Sequence, residues 1–181
     1  MPSARDEVPL TVEELRVVVR FAAAAAEELL PVFERRHPDD GRPRAALEAA
    51  RVFVEGAPRT RLQRVASVEA HRAAREAATE VARLAAQAAG DAAAAAYLHP
   101  LARATQVGHI LRAAADAARV AEIEAGEDAA AADRAVERWR ERAPAVLVDV
   151  LRRYPPAPAG RNRVARLVST LDSVLREAPG G

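Results

Sequence analysis

Thr11-Val12-Glu13-Glu14-Leu15-Arg16-Val17-Val18-Val19-Arg20-Phe21, then five alanines (Ala22 to Ala26), then Glu27-Glu28-Leu29-Leu30-Pro31-Val32-Phe33-Glu34-Arg35-Arg36, is the stretch that decides the fold class. Thr11 and Glu14 stand at the spacing of a capping box, in which each side chain satisfies the other's backbone N–H. Behind them comes a run of strong helix formers. The predicted helix extends to about Arg36 with a kink near Pro31, because proline removes one ladder hydrogen bond. The same chemistry fills the rest of the 181 residues: alanine is about a quarter of the chain, glycine is only 8 residues, and runs of β-branched residues are almost absent. The expectation is an all-α bundle of about six to seven helices with no β-sheet.

Punctuation divides the remainder. His37-Pro38-Asp39-Asp40-Gly41-Arg42 reads as a turn. A second helix has Pro43 at its first position and Gly56 just past its end. Arg44, Glu48, Arg51 and Glu55 line one face at ion-pair spacing, and Leu47, Ala50 and Val54 line the core side. A third helix starts near Arg59, with a break from a fourth placed at Thr79-Glu80. Leu62, Val65 and Ala73 are expected on its core side, with Glu69 among them in need of a partner. The fourth reaches about Leu98 on an apolar line of Val81, Leu84, Ala85, Ala88, Ala92 and Ala95. The fifth is expected from Pro100 to Ala125, with Gly126 as its stop. A sixth starts near Asp128, carries Trp139 and is broken at Pro144. Residues 155–162 read as a Pro-rich linker, and Asn162 caps a last helix over 163–177. Thus 1–10 is an N-terminal extension, 11–154 the bundle and 178–181 a frayed tail. Aromatic residues are 3% of the chain. The few large side chains, Phe21, Phe33, Phe53, Leu111, Trp139 and Leu147, are therefore expected to anchor an otherwise small-residue core.

Composition excludes several chemistries. There is no cysteine, and all 27 basic residues are arginine. Disulfides, thiolate catalysis, lysine imines and a phosphate-loop lysine are ruled out. The formal net charge of +1 and the lack of aromatics between Arg59, Arg61, Arg64, Arg72 and Arg75 argue against nucleic acid as a partner. No basic region precedes an apolar run at the N-terminus, and Val17 to Phe33 is interrupted by charges. Neither a signal peptide nor a membrane span is therefore expected, and cytoplasm is the default.

Four histidines could carry chemistry. His71, His99 and His109 fall near acidic residues in the middle of the chain and read either as hydrogen-bonded helix histidines or as part of a ligand site. Thr105, His109, Arg112, Asp116 and Arg119 recur at spacings of four and three, which draws one polar stripe on the fifth helix. It is either a solvated face or a polar groove. His99 would be partly buried if the fourth helix persisted. No His-x-x-x-His or Glu-x-x-His spacing supports a metal, so neither metal nor cofactor is expected.

The segment Pro38-Asp39-Asp40-Gly41-Arg42-Pro43-Arg44-Ala45-Ala46-Leu47-Glu48-Ala49-Ala50-Arg51 resembles the signature of the Imm-five-like immunity proteins of bacteria, Pro-Asp-Asp-x-Arg-Pro-Arg followed by x-Ala-x-Glu-Ala-Ala-Arg. Leu29 to Glu34, Ala70-His71 and Gly108-His109 add to the likeness, which spans roughly residues 20 to 125. Tyr97-Leu98-His99-Pro100 departs from it. The resemblance implies an all-helical protein that neutralises a toxin in the producing cell, with a cognate toxin as partner and no catalytic residues. An exonuclease-subunit label carried by some relatives has no support here, with no nucleotide-binding loop and no Cys-x-x-Cys. Asp39 and Asp40 precede a helix N-terminus, where negative charge is favoured, and Arg42 and Arg44 can clamp them or a neighbouring helix end. The candidate binding residues are therefore Asp39, Asp40, Arg42, Arg44, His71, His99, His109, Arg112 and Asp116. A metal- or small-ligand-binding bundle built on the histidines and a self-associating scaffold remain as alternatives, the latter implying a homo-oligomer.

Overall fold

A computed structural model describes residues 7–177. Eight α-helices follow in order: α1 (Val12–Glu34), α2 (Arg42–Val54), α3 (Arg61–Glu76), α4 (Glu80–Ala94), α5 (Gln106–Glu124), α6 (Ala129–Arg142), α7 (Ala145–Arg152) and α8 (Arg163–Glu177). A 3₁₀ turn, Ala95–Tyr97, extends α4. The described residues contain no strand, only an isolated bridge between Glu7 and Leu101.

The helix starts follow local chemistry. Thr11 and Glu14 form the capping box, and Thr60 with Gln63 forms a second one. Thr79, Asp128 and Asn162 accept hydrogen bonds from the first turns of α4, α6 and α8. Each cap satisfies a backbone donor that has no partner inside the helix. The chain passes through Pro31 without ending α1, which closes at Glu34, two residues short of the expectation.

Four sequence expectations are corrected. The fifth helix begins at Gln106, not Pro100. The Pro100 carbonyl accepts from Val8 N–H at 2.8 Å and Leu101 bridges to Glu7, so the backbone there is committed to the N-terminal segment. His99 accordingly lies outside any helix and is exposed rather than partly buried. The outward arginines of α2 pair across helices, not with the glutamates of their own: Arg44 with Glu34 and Arg51 with Glu27. Most consequential, α3 is turned over. It buries Gln63, Ala66, Ser67, Ala70, Ala73 and Ala74. Leu62, Val65 and Val68 point outward, 51%, 47% and 49% exposed.

Close packing explains that inversion. α4 sits at the centre, packed against α1, α2, α3 and α5. Eleven of its residues are buried, seven of them alanine. Helix axes near α4 can approach only if the facing side chains are small, because interaxial distance is set by the residues at the contact. α3 therefore offers its alanines and Ser67. Gln63 is admitted because its side chain is fully used: Nε2 donates to the Ala49 carbonyl at 3.0 Å and Oε1 accepts from Thr60 N–H at 2.9 Å.

The large residues anchor the core as expected. Phe21, Phe33, Phe53, Leu111, Trp139 and Leu147 are all buried. Phe21 meets Trp139 edge-on, with ring centroids 5.5 Å apart. Helix α8 packs on α5, α6 and α7. Asp172 of α8, itself buried, accepts from Ala157 N–H at 2.8 Å and fixes the proline-rich segment to the bundle. No helix among the described residues is long and apolar enough to cross a membrane.

Candidate functional site

The candidate binding residues fall into two places. Asp40, Arg42 and Arg44 surround the start of α2, next to the exposed Asp39. Asp40 accepts from the Arg42 backbone N–H at 3.1 Å and from its guanidinium at 2.9 and 2.7 Å. The Arg42 bond holds the Asp40 carboxyl below its usual range. Arg42 also reaches Glu76 at the end of α3, 2.6 Å away. Arg44 forks onto Glu34 of α1 at 2.7 and 2.8 Å. Bidentate arginine–carboxylate pairs fix orientation as well as distance. This corner therefore ties α1, α2 and α3 together with its polar groups already engaged.

The second place is a groove of about 610 Å³. One wall is the α3–α4 side, with His71, Glu80, Arg83 and Gln87. The second is the start of α5, with Thr105, Gly108 and Arg112. The third is Pro158 and the first turns of α8. Thr105 and Arg112 of the α5 polar stripe thus line a groove, and Asp116 of the same stripe is wholly buried. Two glycines shape it. A β-carbon on Gly90 would stand 2.9 Å from the His71 ring, and one on Gly108 would stand 2.9 Å from the Arg112 guanidinium. With no β-carbon at these positions, the imidazole lies against α4 and the arginine folds back over its own helix.

Beneath the groove lie two buried carboxylates. Asp91 of α4 has Oδ1 3.3 Å from His71 Nε2 and 3.7 Å from an Arg112 nitrogen. Burial pushes its carboxyl up to about 6, and Arg112 opposes the shift. Asp116 accepts from Gln87 Nε2 at 3.4 Å. Burial first, and then the charge of Asp91, raise it well above the usual carboxylate range. Burial likewise lowers His71 and His109, with Arg112 adding to both shifts, so both imidazoles are neutral at pH 7. One oxygen of each acid, Asp91 Oδ2 and Asp116 Oδ1, has no hydrogen-bond partner. Unsatisfied buried oxygens of this kind are uncommon and costly.

The structure therefore brings His71, Arg112 and Asp116 together, with His109 close enough to His71 to affect its titration. His99 lies outside the groove lining but close enough to His109 to affect its titration, and its carbonyl accepts from Tyr154 Oη at 2.9 Å. Sequence reasoning did not select Asp91, Gln87 or Gly90. The signal was present: these three are the only residues other than alanine between Ala85 and Ala96. Among the described residues, no group of three or more histidines and carboxylates is arranged to hold a metal.

A family model described as "Imm-5 like putative immunity protein" matches residues 9–145. That span runs from just before α1 through α6 into the start of α7 and includes the Asp40–Arg44 corner, His71, Asp91 and Asp116. No curated protein and no solved structure matches the chain.

Proposed function

The chain belongs to the Imm-5 like immunity protein family, and from that premise we propose that it is a non-catalytic binding protein that neutralises a cognate bacterial toxin in the cytoplasm of the cell that makes it. The observation that carries the reading is the family match over residues 9–145. The scaffold suits the task. Neutralisation by binding needs a surface whose shape is fixed before contact, since pre-organisation lowers the cost of association. Here ion pairs cross between helices at many points, among them Arg42–Glu76, Arg44–Glu34 and Arg163–Glu122.

The test is a genetic selection. Fragments of the producing strain's genome are expressed in a surrogate bacterium, with and without this chain. The proposal expects at least one fragment that kills alone and is tolerated when the chain is co-expressed. Its protein product should form a stable complex with the chain, burying about 800 Å² per side. A selection of full coverage that yields no such fragment contradicts the proposal.

One observation favours a second reading, a helical bundle that takes a small ligand in the α3–α4–α5–α8 groove. The two orphaned carboxylate oxygens lie beneath that groove. Native mass spectrometry of protein purified from its own host would then show a bound small molecule that Asp91→Asn abolishes. Protein of unliganded mass from that host would remove this reading.

A further inference from the structure

Helix α3 is amphipathic in an inverted sense, and its outer face has no occupant. Three of the large apolar side chains exposed on the described chain, Leu62, Val65 and Val68, stand at i, i+3 and i+6 on this one helix. Arg61, Val65, Val68 and Arg72 form a single stripe at spacings of four, three and four. Arg61, Arg64, Val65, Val68 and Glu69 enclose a shallow hollow of about 360 Å³. The three apolar residues are too closely spaced to count as scattered surface hydrophobics, and a contiguous exposed patch rimmed by charge marks a binding surface.

The rim states the chemistry of the occupant. Arg59 and Arg64 stack over Tyr97, 5.2 and 4.7 Å from its ring centroid. Tyr97 Oη donates to the Thr60 carbonyl, so the platform is fixed to the start of α3. Among the described residues, no carboxylate pairs with Arg59, Arg61, Arg64 or Arg75, although such pairs occupy most other arginines of the fold. The acid on this face, Glu69, is held by Arg72 at 3.0 Å. An apolar centre flanked by tyrosine and by arginines without acidic partners has the make-up of a protein-binding hot spot.

We infer that the outer face of α3, centred on Leu62, Val65 and Val68, is the surface that holds the toxin, and that the toxin presents there an apolar patch bordered by aspartate and glutamate. This rests on the immunity reading above. A second copy of the chain is the weaker occupant. A two-fold contact sets each surface patch against itself, and here it would bring arginine against arginine.

The test uses the toxin protein recovered by the selection described above. Leu62→Glu with Val65→Glu is expected to weaken its binding by at least a hundredfold. Arg61→Glu with Arg75→Glu is expected to slow association about tenfold and to flatten its salt dependence. All four side chains are exposed, so circular dichroism and melting temperature should match wild type. Val146→Glu, a charge placed at an exposed valine of α7, should leave binding unchanged. If wild type binds the toxin and the Leu62/Val65 variant binds equally well, the inference fails and the immunity reading stands. If the selection yields no toxin, both fall together. If the substitutions instead abolish binding to phosphatidylglycerol vesicles, to duplex DNA or to a second copy, with toxin affinity intact, the inference is overturned and the face belongs to that occupant.

Discussion

Helices α3 and α4 are neighbours in sequence, separated only by Ala77, Ala78 and Thr79, and they treat apolar residues in opposite ways. α4 is buried on almost every side by alanines and carries two polar residues into the interior, Gln87 at the groove edge and Asp91 beneath it. α3 packs inward through alanine, serine and glutamine and leaves a leucine and two valines outside. The difference shows that in a core made of alanine the inward face is chosen by size before hydropathy. A leucine at the α3–α4 contact would push the helices apart and forfeit contacts along their whole length.

That comparison is most easily broken by paired truncations. Leu84 of α4 is fully buried, and Leu84→Ala is expected to cost about 2–5 kcal/mol. Leu62→Ala on α3 removes the same atoms and is expected to stay within about 0.5 kcal/mol of wild type. Urea denaturation of both variants checks the pair; equal losses would show that α3 is not inverted.

Next in size is the buried acid. The Asp91 carboxyl titrates near 6 in the fold because burial disfavours its charge. In the unfolded chain it titrates near 4. Over the interval between these values the fold keeps a proton that the unfolded chain has lost. The contribution of Asp91 is thus fullest below pH 4 and declines as pH rises through 6. Asp91→Asn is expected to gain on wild type by about 3 kcal/mol in all, at roughly 1.4 kcal/mol per pH unit between about pH 4 and pH 6, and to hold that gain unchanged to about pH 8. A pH-independent difference between the two proteins would contradict a raised Asp91.

The smallest effect sharpens the α3 side. Gln63 satisfies the Ala49 carbonyl and the Thr60 N–H from within the core. Gln63→Ala leaves the Thr60 N–H without its partner and strips the Ala49 carbonyl to its helical bond alone, and is expected to cost about 1–2 kcal/mol, measured by thermal or urea unfolding. A loss near zero would mean that the glutamine is incidental to the inward face.

What the sequence made legible follows the range of the forces involved. Thr11, Thr79, Asp128, Asn162, Gly126 and Pro144 act through bonds within one turn, and the helix boundaries they imply stand within a residue or two. The start of α5 was not legible, because the backbone at Pro100 and Leu101 is held by Val8 and Glu7, more than ninety residues away. The orientation of α3 was equally hidden. Its apolar residues fit a core-facing stripe until the size limit imposed by α4 is known. At the groove, the α5 stripe and the arginine corner at Asp40 could be read from spacing. The Asp91–His71 contact joins positions on different helices, and its only local trace was a glycine beside an aspartate in a run of alanine.

The central claim is that the chain neutralises by holding a toxin and turns nothing over. The most direct measurement titrates the activity of a fixed amount of the selected toxin with increasing amounts of the purified chain. The account predicts a linear loss of activity that ends at a fixed stoichiometric ratio, with no further loss on longer incubation. Complete neutralisation by a hundredfold deficit of the chain, growing with time, would contradict it and mark the protein as an enzyme.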